Sequence, residues 1–242
     1  SATVGVDARY LFGAPATGLA VEGSVVISPE QPQTGPYKGF GFGLSDEEFT
    51  PVSDNFTPSM RTDAAGKGSF ELSIPGVPAT TLPLSAKISM TMADGGGRPV
   101  ERFMDVALAA TGPSLGIKPL FDYSAPEGGS AEFQLAALDS DGKQVGAKDA
   151  TYELLRIERS YQWYRKSNGR WGWEPISRTD RIATGSLDLM EDQFARLDLA
   201  VEWGSYRLEV IAGEAVASYD FYAGWYVEKS AFDTPDALQV GL

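Results

Sequence analysis

The sequence predicts an all-β protein made of two tandem antiparallel β-sandwich domains, and three observations carry that prediction. Apolar and polar residues alternate in short runs that recur about every 10 to 15 residues with turn signals between them, the pattern of a sandwich. The 27 glycines and 15 prolines favour turns, and no stretch carries the apolar period of an amphipathic helix. Across Thr111-Gly112-Pro113 the composition changes: ten of the 15 prolines precede it, whereas all five tryptophans (Trp163, Trp171, Trp173, Trp203 and Trp225) follow it. Two cores of different make are expected, over residues 1–112 and 113–230, with 231–242 leading out of the second. A domain of this size, about 110 to 130 residues, buries roughly two-thirds of its unfolded surface and folds without disulfides.

In the first half, residues 4–12 (VGVDARYLF) alternate and read as a strand that runs into a Gly-Ala-Pro-Ala turn. A second strand, 20–28, puts Val21, Gly23, Val25 and Ile27 on one face and Glu22, Ser24 and Val26 on the other. Residues 29–60 hold five prolines and little periodicity, so they read as a long ordered excursion with one short Gly-rich strand near 37–44. After a turn at 63–68 (DAAGKG) come strands at 69–74, 84–92 and 100–109, the last two joined across DGGGRP at 94–99. The second half reads as strands at 115–121, 130–138, 151–166, 170–178, 181–190, 194–201, 205–212 and 215–228.

The most informative stretch is TYELLRIERSYQWYRKSNGRWGWE, residues 151–174. Asn168-Gly169 suits the centre of a two-residue type I′ turn, where both residues need positive φ. Such a turn pairs Lys166 with Trp171 and Tyr164 with Trp173. One face then carries Gln162, Tyr164, Lys166, Trp171 and Trp173, and the other Tyr161, Trp163, Arg165 and Glu174. Tyr161, Trp163, Tyr164, Arg165, Trp171 and Trp173 are therefore the candidate partner or interdomain surface. Two readings compete for them: rings lying over the edge of a sandwich core under Arg and Lys stems, or an aromatic platform for a sugar or a partner protein. Arg156, Arg159, Arg165 and Arg170, with Lys166, are expected to pair across strands with Glu153, Glu158 and Glu174. Trp203, before Gly204, is expected to cap the core.

Other patterns exclude functions. A net charge of −13 disfavours nucleic acid, whose phosphates need clustered Lys and Arg. No apolar run approaches a membrane span, and no direct membrane contact by these residues is expected. The chain contains neither Cys nor His, which removes disulfides, thiol nucleophiles, Ser-His catalysis and most transition-metal sites. No catalytic, cofactor-binding or metal residue is assigned, no cofactor is expected, and the chain is not read as an enzyme. Asp139-Ser140-Asp141-Gly142 begins like a calcium loop, yet the twelfth position from Asp139, where such a loop needs Glu, is Ala150. It reads as a hairpin turn. Asp46-Glu47-Glu48 reads as a solvated turn, since adjacent carboxylates point apart and no partner acid or base is identifiable.

Gly116-Ile117-Lys118-Pro119-Leu120-Phe121, Glu127-Gly128, Tyr161-Gln162-Trp163-Tyr164, Asn168-Gly169-Arg170-Trp171 and Val201-Glu202-Trp203-Gly204-Ser205-Tyr206-Arg207-Leu208 occur in that order. They resemble the sixth macroglobulin-like domain of bacterial α2-macroglobulins, over residues 115 to about 226. Ala8-Arg9-Tyr10-Leu11-Phe12-Gly13-Ala14-Pro15-Ala16 and Leu19-Ala20-Val21-Glu22-Gly23 resemble the fifth such domain. Phe232-Asp233-Thr234-Pro235-Asp236-Ala237-Leu238-Gln239-Val240 resembles the lead-in to the next.

The resemblance implies macroglobulin-like sandwiches of immunoglobulin-like architecture. It further implies a structural scaffold segment of a broad-spectrum periplasmic protease inhibitor that offers a bait and traps its attacker. In many members the parent is a lipoprotein of the inner membrane, and evasion of host defence follows as an expected role. Its implied partners are neighbouring macroglobulin-like domains of the same chain, and proteases through the full-length protein only. The family's thioester needs a Cys, which these residues lack, and its bait lies further toward the C-terminus. The alternative is an extracellular carbohydrate-binding or adhesin-type module using the Trp- and Tyr-rich hairpin.

Overall fold

The computed structural model describes residues 2–93, 96–110, 112–165 and 170–224, with the side chains of 159, 161–164 and 172–177 outside that description. The described residues form strands and no helix. Seven strands precede Gly112: β1 (Ala2–Asp7), β2 (Val21–Pro29), β3 (Gly41–Phe42), β4 (Val52–Phe56), β5 (Lys67–Leu72), β6 (Leu84–Ala93) and β7 (Pro99–Ala107). Eight follow: β8 (Ser114–Pro119), β9 (Gly129–Leu138), β10 (Gln144–Val145), β11 (Ala147–Arg165), β12 (Trp171–Leu189), β13 (Ala195–Val201), β14 (Gly204–Ala212) and β15 (Ala215–Ala223). All their ladders are antiparallel. By their contacts, Ser1–Gln31 and Glu47–Thr111 make one unit, and Pro32–Asp46 with Gly112–Leu242 make the other.

In the first unit a four-stranded sheet, β4-β2-β6-β7, is accompanied by the pair β1-β5. Strand alternation sends Val25 and Ile27 of β2 and Ala86 and Ile88 of β6 into one core with Val4 and Leu72, and Phe56 and Phe70 pack against it. Gly23 is required there, because a Cβ would stand 2.1 Å from the Ser89 carbonyl oxygen and 2.6 Å from the Phe56 ring. Thr62 is the buried polar residue of the connecting loops: its hydroxyl donates to the Ala16 carbonyl at 2.7 Å and accepts from the Leu19 N–H at 3.0 Å. Two expectations are corrected here. The first strand stops at Asp7 instead of running to residue 12, because the chain turns over Tyr10–Gly13 and leaves Leu11 in solvent and Phe12 exposed, stacked only on Tyr10 among the described rings. Residues 52–56, taken as irregular excursion, are the edge strand β4; Val-Ser-Asp-Asn-Phe is too polar to show alternation, and only the pairing with β2 reveals it. The opposite edge, β7, is exposed along its whole length, with Val100, Phe103, Met104 and Val106 in solvent.

The second unit stacks two sheets. In one, β9 pairs with β8, which pairs with β3, while β10 and β13 share the other edge of β9. The other runs β12-β11-β14-β15. Leu115 and Ile117, Phe133 and Leu135, Leu197 and Leu199, Leu154, and Tyr206, Leu208 and Val210 interleave between them. Phe121, Phe133 and Phe221 meet with ring centroids 5.2 to 5.6 Å apart. The Asp139 turn is a hairpin turn joining β9 and β10, its carboxylate accepting from the Asp141 and Lys143 N–H groups, and Gly142 takes positive φ.

The stretch 32–46 departs from a single boundary at 112/113. It leaves the first unit in sequence and becomes part of the second: β3 adds to the edge of β8, pairing Gly41 with Ile117 and Phe42 with Gly116. Gly116 in turn faces Ala136 of β9, and the two small residues leave a shallow floor on the face of that sheet opposite the core. Phe40 (1% exposed) and Phe42 (3%) fill the floor with Tyr37, Phe194 and Leu138. Phe40 and Phe194 meet at a tilt with ring centroids 4.9 Å apart, and Lys118 Nζ sits 5.7 Å over the Phe40 ring.

These packing assignments separate core from surface. Leu154→Ala, at a fully buried site, is expected to cost about 2 to 5 kcal/mol, whereas Phe103→Ala on the exposed edge changes stability by about 0.5 kcal/mol or less, both read as urea midpoints.

Candidate interaction surface

Strands β11 and β12 carry the predicted surface. β14 pairs with β11 only from Thr151–Ile211 to Ile157–Ser205, so beyond Ile157 the two long strands pair with each other alone among the described ladders. The remaining eight residues of β11 extend the sheet as a two-stranded ribbon of roughly 25 Å at ~3.3 Å per residue. All six candidate residues (Tyr161, Trp163, Tyr164, Arg165, Trp171 and Trp173) lie on this ribbon.

Their register corrects the sequence expectation. Arg165 faces Trp171, Tyr164 faces Gly172 and Trp163 faces Trp173, one position away from the pairing a two-residue Asn168-Gly169 turn would set. Five residues, 166–170, separate the last pair, an odd number that a two-residue loop cannot close. A second correction explains part of this. The two strands expected at 170–178 and 181–190 are one, Trp171–Leu189: Thr179 and Asp180, at the expected break, pair with Ile157 and Arg156, and a bulge lies just beyond, Ile182 being left unpaired between Arg181, opposite Leu155, and Ala183, opposite Leu154. A bulge adds one residue to one strand and changes the parity of every pair beyond it. The turn residues 166–169 lie outside the described residues, as do the side chains of Tyr161, Trp163, Tyr164 and Trp173. Trp171 is 67% exposed and Arg165 is exposed, so the tip offers an indole and a guanidinium to solvent.

At the root of the ribbon the expected ion pairs are reassigned. Arg156 donates to the Trp203 carbonyl at 2.9 Å and lies 3.8 and 3.7 Å from Glu158 and Glu202; Glu153 pairs instead with Arg181 at 3.1 Å. Trp203 is not a core residue. It is 55% exposed, packs edge-on against Tyr222 at 5.8 Å and lies over Gly224, where a Cβ would stand 2.6 Å from its ring. The core position is Tyr206, buried and stacked on Phe221 at 5.5 Å.

Asp46 and Glu47 are also more than a solvated turn. Arg207 forks onto Asp220 at 2.7 and 3.1 Å and reaches Asp46 at 2.6 Å. The hydrogen bond from Arg207 holds the Asp46 carboxyl below its ordinary value, and the two carboxylates raise Arg207. Glu47 accepts from the Thr81 N–H and hydroxyl. Burial pushes Glu47 up, but hydrogen bonds from Thr80 and Thr81 outweigh it and hold the group below its usual range. These carboxylates are therefore occupied by structural partners. Among the described residues no group of three or more acidic side chains gathers as a metal site.

Comparison with known proteins places this architecture. Residues 1–109 match the bacterial α2-macroglobulin MG5 domain, and residues 116–225 match bacterial macroglobulin domain 6. The chain belongs to the bacterial α2-macroglobulin family. The α2-macroglobulin of Xylella fastidiosa (strain 9a5c) is 32% identical over 228 residues, covering 92% of this chain. That of Escherichia coli K12 is 30% identical over 234 residues, covering 89%. The chain spans 14% of the length of each of these relatives. Among solved structures, E. coli α2-macroglobulin activated by porcine elastase gives a TM-score of 0.69 at 29% identity, covering 93% of this chain and 20% of that one. Salmonella α2-macroglobulin reacted with methylamine gives 0.68 at 27%, covering 92% and 15%. The native E. coli form gives 0.66 at 27%, covering 93% and 15%.

In this α2-macroglobulin segment, sequence reasoning picked out the hairpin but missed Phe40, Phe42, Ser45 and Asp46 as working parts. One signal was available: β9 ends Leu-Ala-Ala-Leu, four apolar residues in a row where a strand with one wet face would alternate. Something had to cover the second face.

Two outcomes are expected. Trp203→Ala lowers stability by about 1 kcal/mol or less, while Tyr206→Ala costs about 3 to 5 kcal/mol, both read from urea midpoints. In acid, Asp46 and Glu47, whose folded-state values are depressed, contribute full stability above their unfolded values, roughly 3.9 to 4.3, and lose it as pH falls through the lower folded values. Asp46→Asn should flatten that acid limb in a series of urea titrations between about pH 6 and 2.5.

Proposed function

We propose that this chain is a non-catalytic scaffold segment of a bait-and-trap protease inhibitor. It works in the periplasm, within a parent held at the inner membrane as a lipoprotein, and contributes there to evasion of host defence. The observation that carries the reading is the order and extent of the two domain matches, fifth then sixth, over nearly the whole chain. The packing agrees with it: among the described residues, buried side-chain polar atoms all have partners, and the Arg207 and Thr62 clusters bind the fold to itself. Close-packed sandwiches transmit displacement instead of absorbing it. The relatives' native and elastase-activated forms match these residues at 0.66 and 0.69, which supports a segment carried through activation without refolding.

Within the parent, its contacts are neighbouring macroglobulin-type domains. The ribbon tip with Trp171 and Arg165 is the part of the second domain suited to such a contact, an exposed indole beside a cation being typical of protein interfaces. Proteases are met through the full-length protein.

The test is to incubate the purified chain, in excess, with several endopeptidases and a macromolecular substrate, alongside the full-length parent. The chain alone should leave cleavage rates unchanged while the parent suppresses them. Protection of the substrate by the chain alone, or a protease adduct that survives denaturation, would overturn the scaffold reading.

A further inference from the structure

The packing of residues 32–46 goes beyond a loop that happens to lie on a sheet. The geometry points to a strand-binding site built into the second unit, on the β8–β9 face opposite its core, for which residues 32–46 are the ligand in cis. Four features define the site. The free edge of β8 supplies the ladder to Gly41 and Phe42. Gly116 and Ala136 supply a floor without bulk, and a Cβ at Gly116 would stand 2.7 Å from the Phe42 ring. Phe194 and Leu138 wall the floor, where Tyr37, Phe40 and Phe42 meet in edge-on and tilted ring contacts of 4.9 to 6.3 Å. Polar groups fix the end: the Ser218 N–H donates to the Gly43 carbonyl at 3.0 Å, the Ser45 N–H donates to the Ser218 hydroxyl at 2.8 Å, and Arg207 takes Asp46. The chemistry recognised is a segment with one extended step, Gly41-Phe42, that bears two phenyl rings two residues apart, glycine between and beside them, and a terminal Ser-Asp.

The consequence is a coupling. Without its ligand the second unit would expose an unpaired β8 edge together with Ala136 and Leu138, a surface that recruits other strands. The ligand is encoded between β2 and β4 of the first unit, so the folding of the second domain depends on chain that sequence boundaries give to the first. This is donor-strand completion within one polypeptide.

The test uses the full chain and hydrogen exchange, read peptide by peptide, and does not depend on protease inhibition. Phe40→Ser removes a ring from the ligand side, and Gly116→Val blocks the floor from the site side. Both should raise exchange at 40–45 and along β8 and β9 by at least tenfold while β2 and β6 stay protected. A synthetic peptide of residues 32–46, added to the Phe40→Ser chain, should restore protection of β8. Ser45→Ala, which leaves the rings and the Ser45 N–H in place but removes the hydroxyl that lies 2.9 Å from the Ser218 hydroxyl and donates to Asp220 at 3.1 Å, should speed exchange at 43–45 several-fold without touching β9. Unchanged protection of β8 and β9 in both strong variants would overturn the proposal. So would equal loss in both units, or a Ser45→Ala chain indistinguishable from the parent together with no rescue by the peptide.

Discussion

The second unit depends on one constraint: β9 is bonded on both edges and, from Leu135 to Leu138, covered on both faces. Phe133, Leu135 and Ala137 point into the sandwich, while Ala136 and Leu138 point away from it beneath Phe40 and Phe42. Those four residues have no wet side, and every backbone polar group on them must find a partner in the protein. The β8 ladder satisfies one edge, and β10 and β13 divide the other. Removing any of these covers would leave apolar surface or unpaired amides, so the elements around β9 are mutually dependent.

Electrostatics is used locally in the same way. The chain is strongly acidic, yet the cations that matter structurally sit where they join separate pieces of backbone: Arg207 ties Asp46 to Asp220, and Arg156 holds the Trp203 carbonyl beside Glu158 and Glu202. Arg207 is largely covered, and its fork onto Asp220 sits between directly paired residues of β14 and β15, a geometry a lysine would not reproduce. Surface pairs such as Arg178 with Asp180 lie in solvent and contribute little.

The long hairpin shows how a small irregularity redirects a surface. A single unpaired residue at Ile182 sets the parity of the ribbon, so Trp163 meets Trp173 and Arg165 meets Trp171. Beyond Ile157 the ribbon has no third strand among the described ladders, and the buried core residues of β11 and β14 lie before that point, so the ribbon does not close that core.

What the sequence by itself determined was the class, most of the strand positions and the family. The spans of β9, β13 and β14 were legible from alternation because which residues share a face is decided by parity within one strand, a local property. The Asp139 turn, likewise, was legible from four consecutive residues. Tertiary structure alone decided what depends on partners distant in sequence. Phe40 and Phe42 became buried because Gly116 and Ala136, some 75 to 95 positions later, leave them a floor. Trp203 went to the surface because Tyr206 took the core position stacked on Phe221. The register of the ribbon was fixed by a bulge that no turn signal encodes, since whether a residue pairs or bulges depends on the strand opposite it.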